Sequence, residues 1–163
     1  FWTYRDGATE SGLTVHRVAP GEDDGDVLAQ MRVPLPFGTP GEDLVDTLAE
    51  TAEQSLVAVL EALARGDLVG TPQDPSRATR APRPHEADLL VAGSMGARRA
   101  FHFVRGVGRW NQLVVDVGGS KVRVIDAVEL DEERRVPGEV ALVGDSVWLG
   151  CDDGAVMMRA QGV

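Results

Sequence analysis

Between Gly70 and Pro84 the chain holds four prolines and three arginines, with no apolar residue recurring at a helical or strand interval. Proline lacks the backbone N–H and restrains the residue before it, so neither a continuous helix nor a central strand can cross this stretch. It reads as an extended linker over 70–86, which cannot build a core. The 163 residues must therefore form one structure before it, residues 1–69, and another after it, residues 87–163.

On the first side, Leu13-Thr14-Val15-His16-Arg17-Val18 alternates apolar and polar residues, and 27–35 is rich in Val and Leu. Both read as strands, joined by the acidic glycine loop Gly21-Glu22-Asp23-Asp24-Gly25-Asp26. Thr39-Pro40-Gly41-Glu42 then signals a helix start: a hydroxyl cap, a proline whose missing N–H costs nothing there, and Glu42 at capping-box spacing. The helix should run to about Arg65, stopped by Gly66, with Leu44, Leu48, Ala52, Leu56, Val59, Leu60 and Leu63 on one buried face.

Beyond the linker, a second helix is expected from Ser94 to Arg105, with Ala97, Ala100, Phe101 and Val104 on its apolar side. The period then changes to that of short strands: 112–117, a Gly118-Gly119 turn, 121–130, 139–143, 147–151, an Asp153-Gly154 turn, and 155–159. Five short strands with one helix suit a small barrel of the oligonucleotide-binding (OB-like) type. The expected class is thus a partial Rossmann-like α/β domain followed by an OB-like β-barrel domain.

Net charge is −10 and unevenly spread, with 7 basic against 15 acidic side chains in residues 1–86, and 9 against 11 in 87–163. That excludes broad, unspecific attraction to nucleic acid or anionic membrane. No apolar run approaches the roughly 20 residues needed to cross a bilayer. A single cysteine, Cys151, rules out an internal disulfide and a multi-cysteine zinc site, and fits a reducing cytoplasm. By itself it reads as a small strand residue.

The loop is preceded by Trp2, Arg5, Gly7, Glu10, Gly12, Thr14 and His16 in the pattern W-x-x-R-x-G-x-x-E-x-G-x-T-x-H. With Leu28-Ala29-Gln30, Val33-Pro34-Leu35, Pro72-Gln73, Val122-x-Val124, Pro137-Gly138-Glu139-Val140, Asp153-Gly154 and Gln161 in the same order, the chain resembles the 10-formyltetrahydrofolate-dependent formyltransferase family. The part from about residue 87 resembles the small β-rich carboxy-terminal domain of its methionyl-transfer-RNA members. The resemblance implies formyl transfer from 10-formyltetrahydrofolate to a primary amine, in a cytoplasmic enzyme without a metal. It makes Asp23 the catalytic acid of a dry loop and gives the backbone of Val18, Ala19, Pro20, Gly21 and Glu22 the pterin ring to hold.

The family's catalytic asparagine and histidine lie in an N-x-H motif upstream of the acid loop. The sole asparagine here is Asn111. The expectation is therefore a carboxy-terminal piece of a longer enzyme, inactive alone. Methionyl-transfer RNA leads as acceptor, and a nucleotide sugar or a peptide-assembly amine is the alternative; a non-catalytic RNA- or ligand-binding module is the competing class.

Arg98, His102, Arg105 and Arg109 recur at helical spacing, either as a solvated face or as a stripe for transfer-RNA phosphates. His16, on a strand beside the loop, is either a buried structural histidine or a group that tunes Asp23. His85 falls in the linker. Asp23, Asp24 and Asp26 lack the spacing of a calcium loop. Gly118-Gly119-Ser120-Lys121 is followed by a strand where a phosphate loop needs a helix. Gly93-Ser94-Met95-Gly96 matches the G-x-x-G of KH domains on too few fixed positions to carry weight.

Overall fold

A computed structural model describes residues 1–162, which divide into two compact units. One comprises Thr9–Leu35 and Asp43–Ala81; the other comprises Phe1–Ala8, Pro36–Glu42 and the chain from Pro82 onward. The short segments at Phe1–Ala8 and Pro36–Glu42 thus cluster with the carboxy-terminal part, although they precede the proline-rich stretch.

In the first unit, strands β1 (Glu10–His16) and β2 (Val27–Pro34) form an antiparallel ribbon in which Leu13 faces Met31 and Glu10 faces Pro34. β1 starts three residues earlier than its alternation indicates, and an Arg32–Glu10 ion pair at 2.9 Å lies at the added end. Helix α2 spans Gly41–Arg65 and stops as expected. Gly66 takes φ +79°, and Asp67 and Gly66 donate to the carbonyls of Ala62 and Leu63, which satisfies the last turn. Its start differs from expectation, because the Thr39 hydroxyl donates to the Pro36 carbonyl at 2.7 Å.

The buried face of α2 also differs. Leu44, Ser55 and Val59 are buried, whereas Leu56, Leu60 and Leu63 are at least half exposed, as is Val45. Thr47, Thr51 and Ser55 each donate a hydroxyl to the carbonyl four residues back, at 2.7–2.8 Å. That bond lets Ser55 be fully buried without an unmet polar group. Periodicity found residues that share a face; it did not tell which face is covered.

The proline-rich stretch is not a free linker. Thr71 and Val27 exchange backbone hydrogen bonds of 2.8 Å, Asp74 caps a short 3-10 turn at Pro75–Arg77, and Arg80 lies 3.4 Å from Glu22. Few of these bonds are local, so composition could not foretell them.

In the second unit, α1 (Trp2–Arg5) leads to α3 (Ala97–Val107), which packs on a five-stranded antiparallel sheet. The strands are β3 (Val114–Val117), β4 (Ser120–Asp131), β5 (Val140–Val143), β6 (Ser146–Cys151) and β7 (Gly154–Ala160), in the order β3-β4-β7-β6-β5. The sheet curls until Cα atoms of its edge strands β3 and β5 come within 8 Å. Gly118 and Gly119 both take positive φ (60° and 90°), the conformation a two-residue hairpin demands. At the β6–β7 hairpin the turn falls on Asp152-Asp153, one residue earlier than expected, and Gly154 opens β7.

Helix α3 starts at Ala97, after a 3-10 turn at Gly93–Met95, because the Asp153 carboxylate accepts the Ala97 N–H at 2.7 Å. Its core side holds Ala97, Ala100, Phe103, Val104 and Val107. Phe103 takes the core place expected of Phe101, whose ring stacks on Phe37 instead (5.6 Å). Leu113, Val115, Val124, Ala127, Val147, Val156 and Met158 complete that core. Cys151 is buried there, with its thiol pushed up to about 11 by burial and by Asp153 and Asp152, so it stays protonated and inert at neutral pH. No described helix is long and apolar enough to cross a membrane.

Candidate functional site

The acid loop is shaped by its glycines and by one distant side chain. Gly25 passes so close to the Arg17 carbonyl that a side chain there would collide with backbone. Arg17 N–H in turn donates to the Asp26 carbonyl at 2.9 Å, which closes the loop. Asp23 itself has φ +53°, a left-handed conformation that Asp and Asn tolerate better than most residues. The Gln73 amide donates to the carbonyls of both Asp23 and Gly25 at 2.7 Å. Pro72-Gln73 was one fragment of the resemblance, but its role is visible only once the 70–73 segment folds back.

The Asp23 carboxylate lies 3.5 Å from His16 Nε2, while His16 Nδ1 is 2.9 Å from the Arg17 carbonyl. Oxygen atoms therefore face both ring nitrogens, the Arg17 carbonyl within hydrogen-bonding distance and the Asp23 carboxylate at the longer separation. His16 is 27 % exposed, so it is neither deeply buried nor fully open, and it stands beside Asp23. The loop, however, is not dry. Asp23 is 85 % exposed, Glu22 82 % and Val18 98 %, and nothing among the described residues desolvates the carboxylate. Ala19, Pro20 and Gly21 run beside them as irregular backbone, outside the strand ladder.

The four residues of the α3 stripe part company. Arg98 pairs with Glu132 at 2.8 Å and covers the Phe37 ring; Arg105 donates to the carbonyls of Gly38 and Ala127 and lies 3.6 Å from Asp126. Arg109 reaches Glu42 at 3.1 Å and Asp126 at 3.8 Å. His102 turns inward: it is 5 % exposed, with its Nδ1 accepting the Gly38 N–H at 3.1 Å and its ring between Tyr4 and Phe37. Helical spacing alone could not reveal that carboxylates and carbonyls occupy three of the positions and the core the fourth.

Burial lowers the His102 pKa below its usual 6.5, which has a consequence for stability. The unfolded chain takes up the proton first as pH falls, so the stabilisation from a neutral buried ring is present above pH 6.5 and is lost below it. Urea unfolding at pH 7.5 and 5.5 should show a larger acid loss for the natural chain than for His102→Gln. Equal losses would remove His102 from the acid response.

Beside α3 lies a second concavity, absent from the sequence reading: a depression of about 320 Å³ lined by Arg109, Arg123, Ile125, Asp126, Arg159 and Gln161. A smaller notch next to it shares Arg109 and Asp126 and includes Trp110.

Residues 86–161 match the family model described as the formyl transferase C-terminal domain. The methionyl-tRNA formyltransferase of Rubrobacter xylanophilus is 35% identical over 155 residues, covering 93% of this chain and 51% of that protein. The crystal structure of HypX from Aquifex aeolicus in complex with tetrahydrofolic acid superposes with a TM-score of 0.70 at 24% identity, over 96% of this chain and 28% of that one. WlaRD, a sugar 3N-formyl transferase crystallised with dTDP and 5-N-formyl-THF, gives a TM-score of 0.72 at 15% identity, over 99% of this chain and 59% of that one. The chain spans about half the length of the curated relatives it matches.

Proposed function

We propose that this chain, which belongs to the formyltransferase family, serves formyl transfer from 10-formyltetrahydrofolate to a primary amine, with methionyl-transfer RNA as the acceptor. The observation that carries the reading is a carboxylate, Asp23, held in a left-handed turn by a loop whose carbonyls are clamped by Gln73 and faced by His16. In the transfer, the acceptor nitrogen attacks the formyl carbon, a tetrahedral oxyanion forms, and the bond to the folate nitrogen breaks. One proton leaves the amine and one reaches the departing nitrogen. Asp23 is the group here that can hold the first, with His16 orienting it. Backbone at Val18–Glu22 lies outside the strand ladder, so its carbonyls, and its N–H groups apart from Pro20, are not committed to strand pairing and suit the polar edge of a pterin.

The rest of the site would come from polypeptide beyond these residues. No N-x-H occurs among the 163, and Asp23 requires a cover before its carboxylate can work in a dry environment. In this reading residues 1–69 belong to the catalytic domain and 87–163 form the OB-like carboxy-terminal domain, a soluble cytoplasmic arrangement. Five antiparallel strands, one helix and the approach of β3 to β5 support the barrel. The second reading, a non-catalytic binding module, is favoured by that same exposure of Asp23.

The test joins this chain to the half of the Rubrobacter enzyme that it does not match. A folded chimera should formylate methionyl-transfer RNA from 10-formyltetrahydrofolate, while the 163 residues alone should show no turnover. Transfer to an amino-sugar nucleotide instead would move the acceptor to that class. A folded chimera that transfers to neither would leave the binding module.

A further inference from the structure

The turn that carries Asp23 needs support from outside itself. Asp23 sits at φ +53°, a conformation that residues other than glycine keep only when their surroundings impose it, and its side chain is 85 % exposed. The His16 contact at 3.5 Å joins a carboxylate open to solvent, where pairing is screened and restrains little. Another group has to fix the turn.

Gln73 supplies that restraint from 50 residues away: its Nε2 donates to the Asp23 carbonyl and to the Gly25 carbonyl, both at 2.7 Å. The two protons of one amide thus span the loop across Asp24. The segment that bears Gln73 is itself anchored on both sides. Before it, Thr71 and Val27 exchange backbone bonds of 2.8 Å, and Gly70 passes so close to the loop that a side chain there would meet the Asp26 Cβ at 2.7 Å. After it, the Asp74 carboxylate accepts the Ser76 N–H at 2.9 Å and the Ser76 hydroxyl at 2.7 Å, which starts the 3-10 turn at Pro75–Arg77. Pro72 and Pro75 narrow the backbone choices on either side, so the amide is presented with little freedom left to lose.

The chemistry of the clamp suits an acid that must stay reactive. Both bonds end on main chain, which leaves the oxygens of the Asp23 carboxylate to a substrate proton. The amide is also uncharged, whereas a lysine or arginine in its place would favour the ionised carboxylate and weaken it as a base. We infer that Gln73 is the positioning residue of the acid loop: its amide sets where the Asp23 carboxylate stands, and the proline-rich strap is thereby part of the site. This deepens the proposed function and rests on it, because the placement of Asp23 governs a rate only where that carboxylate moves a proton.

The test compares Gln73→Met, which keeps the length of the side chain and removes its N–H groups, with Ser76→Ala, a control in the same segment that does not touch the loop. NMR relaxation on the 163-residue chain needs no turnover. Backbone order parameters at Asp23, Asp24 and Gly25 should lie near about 0.85 in the natural chain and in Ser76→Ala, and fall below about 0.6 in Gln73→Met, with the melting temperature little changed. In the active chimera, single-turnover formyl transfer at saturating folate should drop about 10- to 100-fold for Gln73→Met and less than about twofold for Ser76→Ala. In an Asp23→Asn background, Gln73→Met should cost less than about a further twofold, since a residue that acts through Asp23 has nothing left to position. A residue that only supports the fold would cost as much there as in the natural background. A loop equally rigid with and without the amide, a loop already mobile in the natural chain, an undiminished rate in Gln73→Met, or equal losses in the two backgrounds would overturn the role. A loosened loop in Gln73→Met together with full transfer by Asp23→Asn, or with a chimera that transfers nothing, counts against the formyl-transfer reading and leaves Gln73 as the group that shapes the loop.

Discussion

In the active chimera, Asp23→Asn is expected to cut formyl transfer by roughly 10²- to 10⁴-fold, the usual contribution of a positioned acid–base group. The substitution is unusually clean. Position 23 has φ +53°, which asparagine adopts as readily as aspartate, and the side chain is 85 % exposed, so neither strain nor lost packing should follow. The Gln73 clamp grips the backbone carbonyl, not the carboxylate, and survives the change. Single-turnover rates with saturating folate should fall while the melting temperature stays put. A variant that keeps more than a third of the rate would mean that this carboxylate moves no proton in the reaction.

The other large effect concerns stability. Phe103 is fully buried, its ring edge-on to Phe1 at 5.3 Å and below the Arg5 guanidinium. Truncation to alanine removes the ring from a core that can only partly collapse, and should cost about 3–5 kcal/mol. Small domains hold roughly 5–15 kcal/mol in total, so Phe103→Ala should unfold at far lower urea or not fold at all. Phe101→Ala, on the neighbouring ring that is only partly buried, should cost much less. Equal costs at the two positions would contradict the placement of the core, and the pair is readable in one set of urea curves.

The contrast between those phenylalanines shows what a sequence can and cannot disclose. Strands, hairpins and both long helices were legible because their signals are local: Gly118-Gly119 demands its turn, Gly66 its stop, and alternation marks β4, β6 and β7. The family was legible from ordered motifs around the acid loop. Which of Phe101 and Phe103 enters the core depends on which side of α3 the sheet covers, and that helix is anchored at its start by Asp153, 56 residues beyond Ala97. The same holds for the loop, steadied by Gln73 across 50 residues, and for the arginine hollow, which draws on α3's end, β4 and β7. His102 read as a cation from its spacing, but its neighbours Tyr4 and Phe37 are remote in sequence. Contacts made at long range leave no periodic trace.

Helix α2 carries a consequence for how such a polypeptide behaves in a tube. Its hydroxyls at Thr51 and Ser55 sit on the sheltered row, while Val45, Ala49, Ala52, Leu56, Leu60 and Leu63 form a greasy seam on the wet one, spaced as in a coiled-coil strip. An unshielded seam of this kind invites clumping as concentration rises, and the surplus of carboxylates over residues 1–86 is the force holding molecules apart. Acidification or high salt, by silencing that repulsion, would leave the leucines in command.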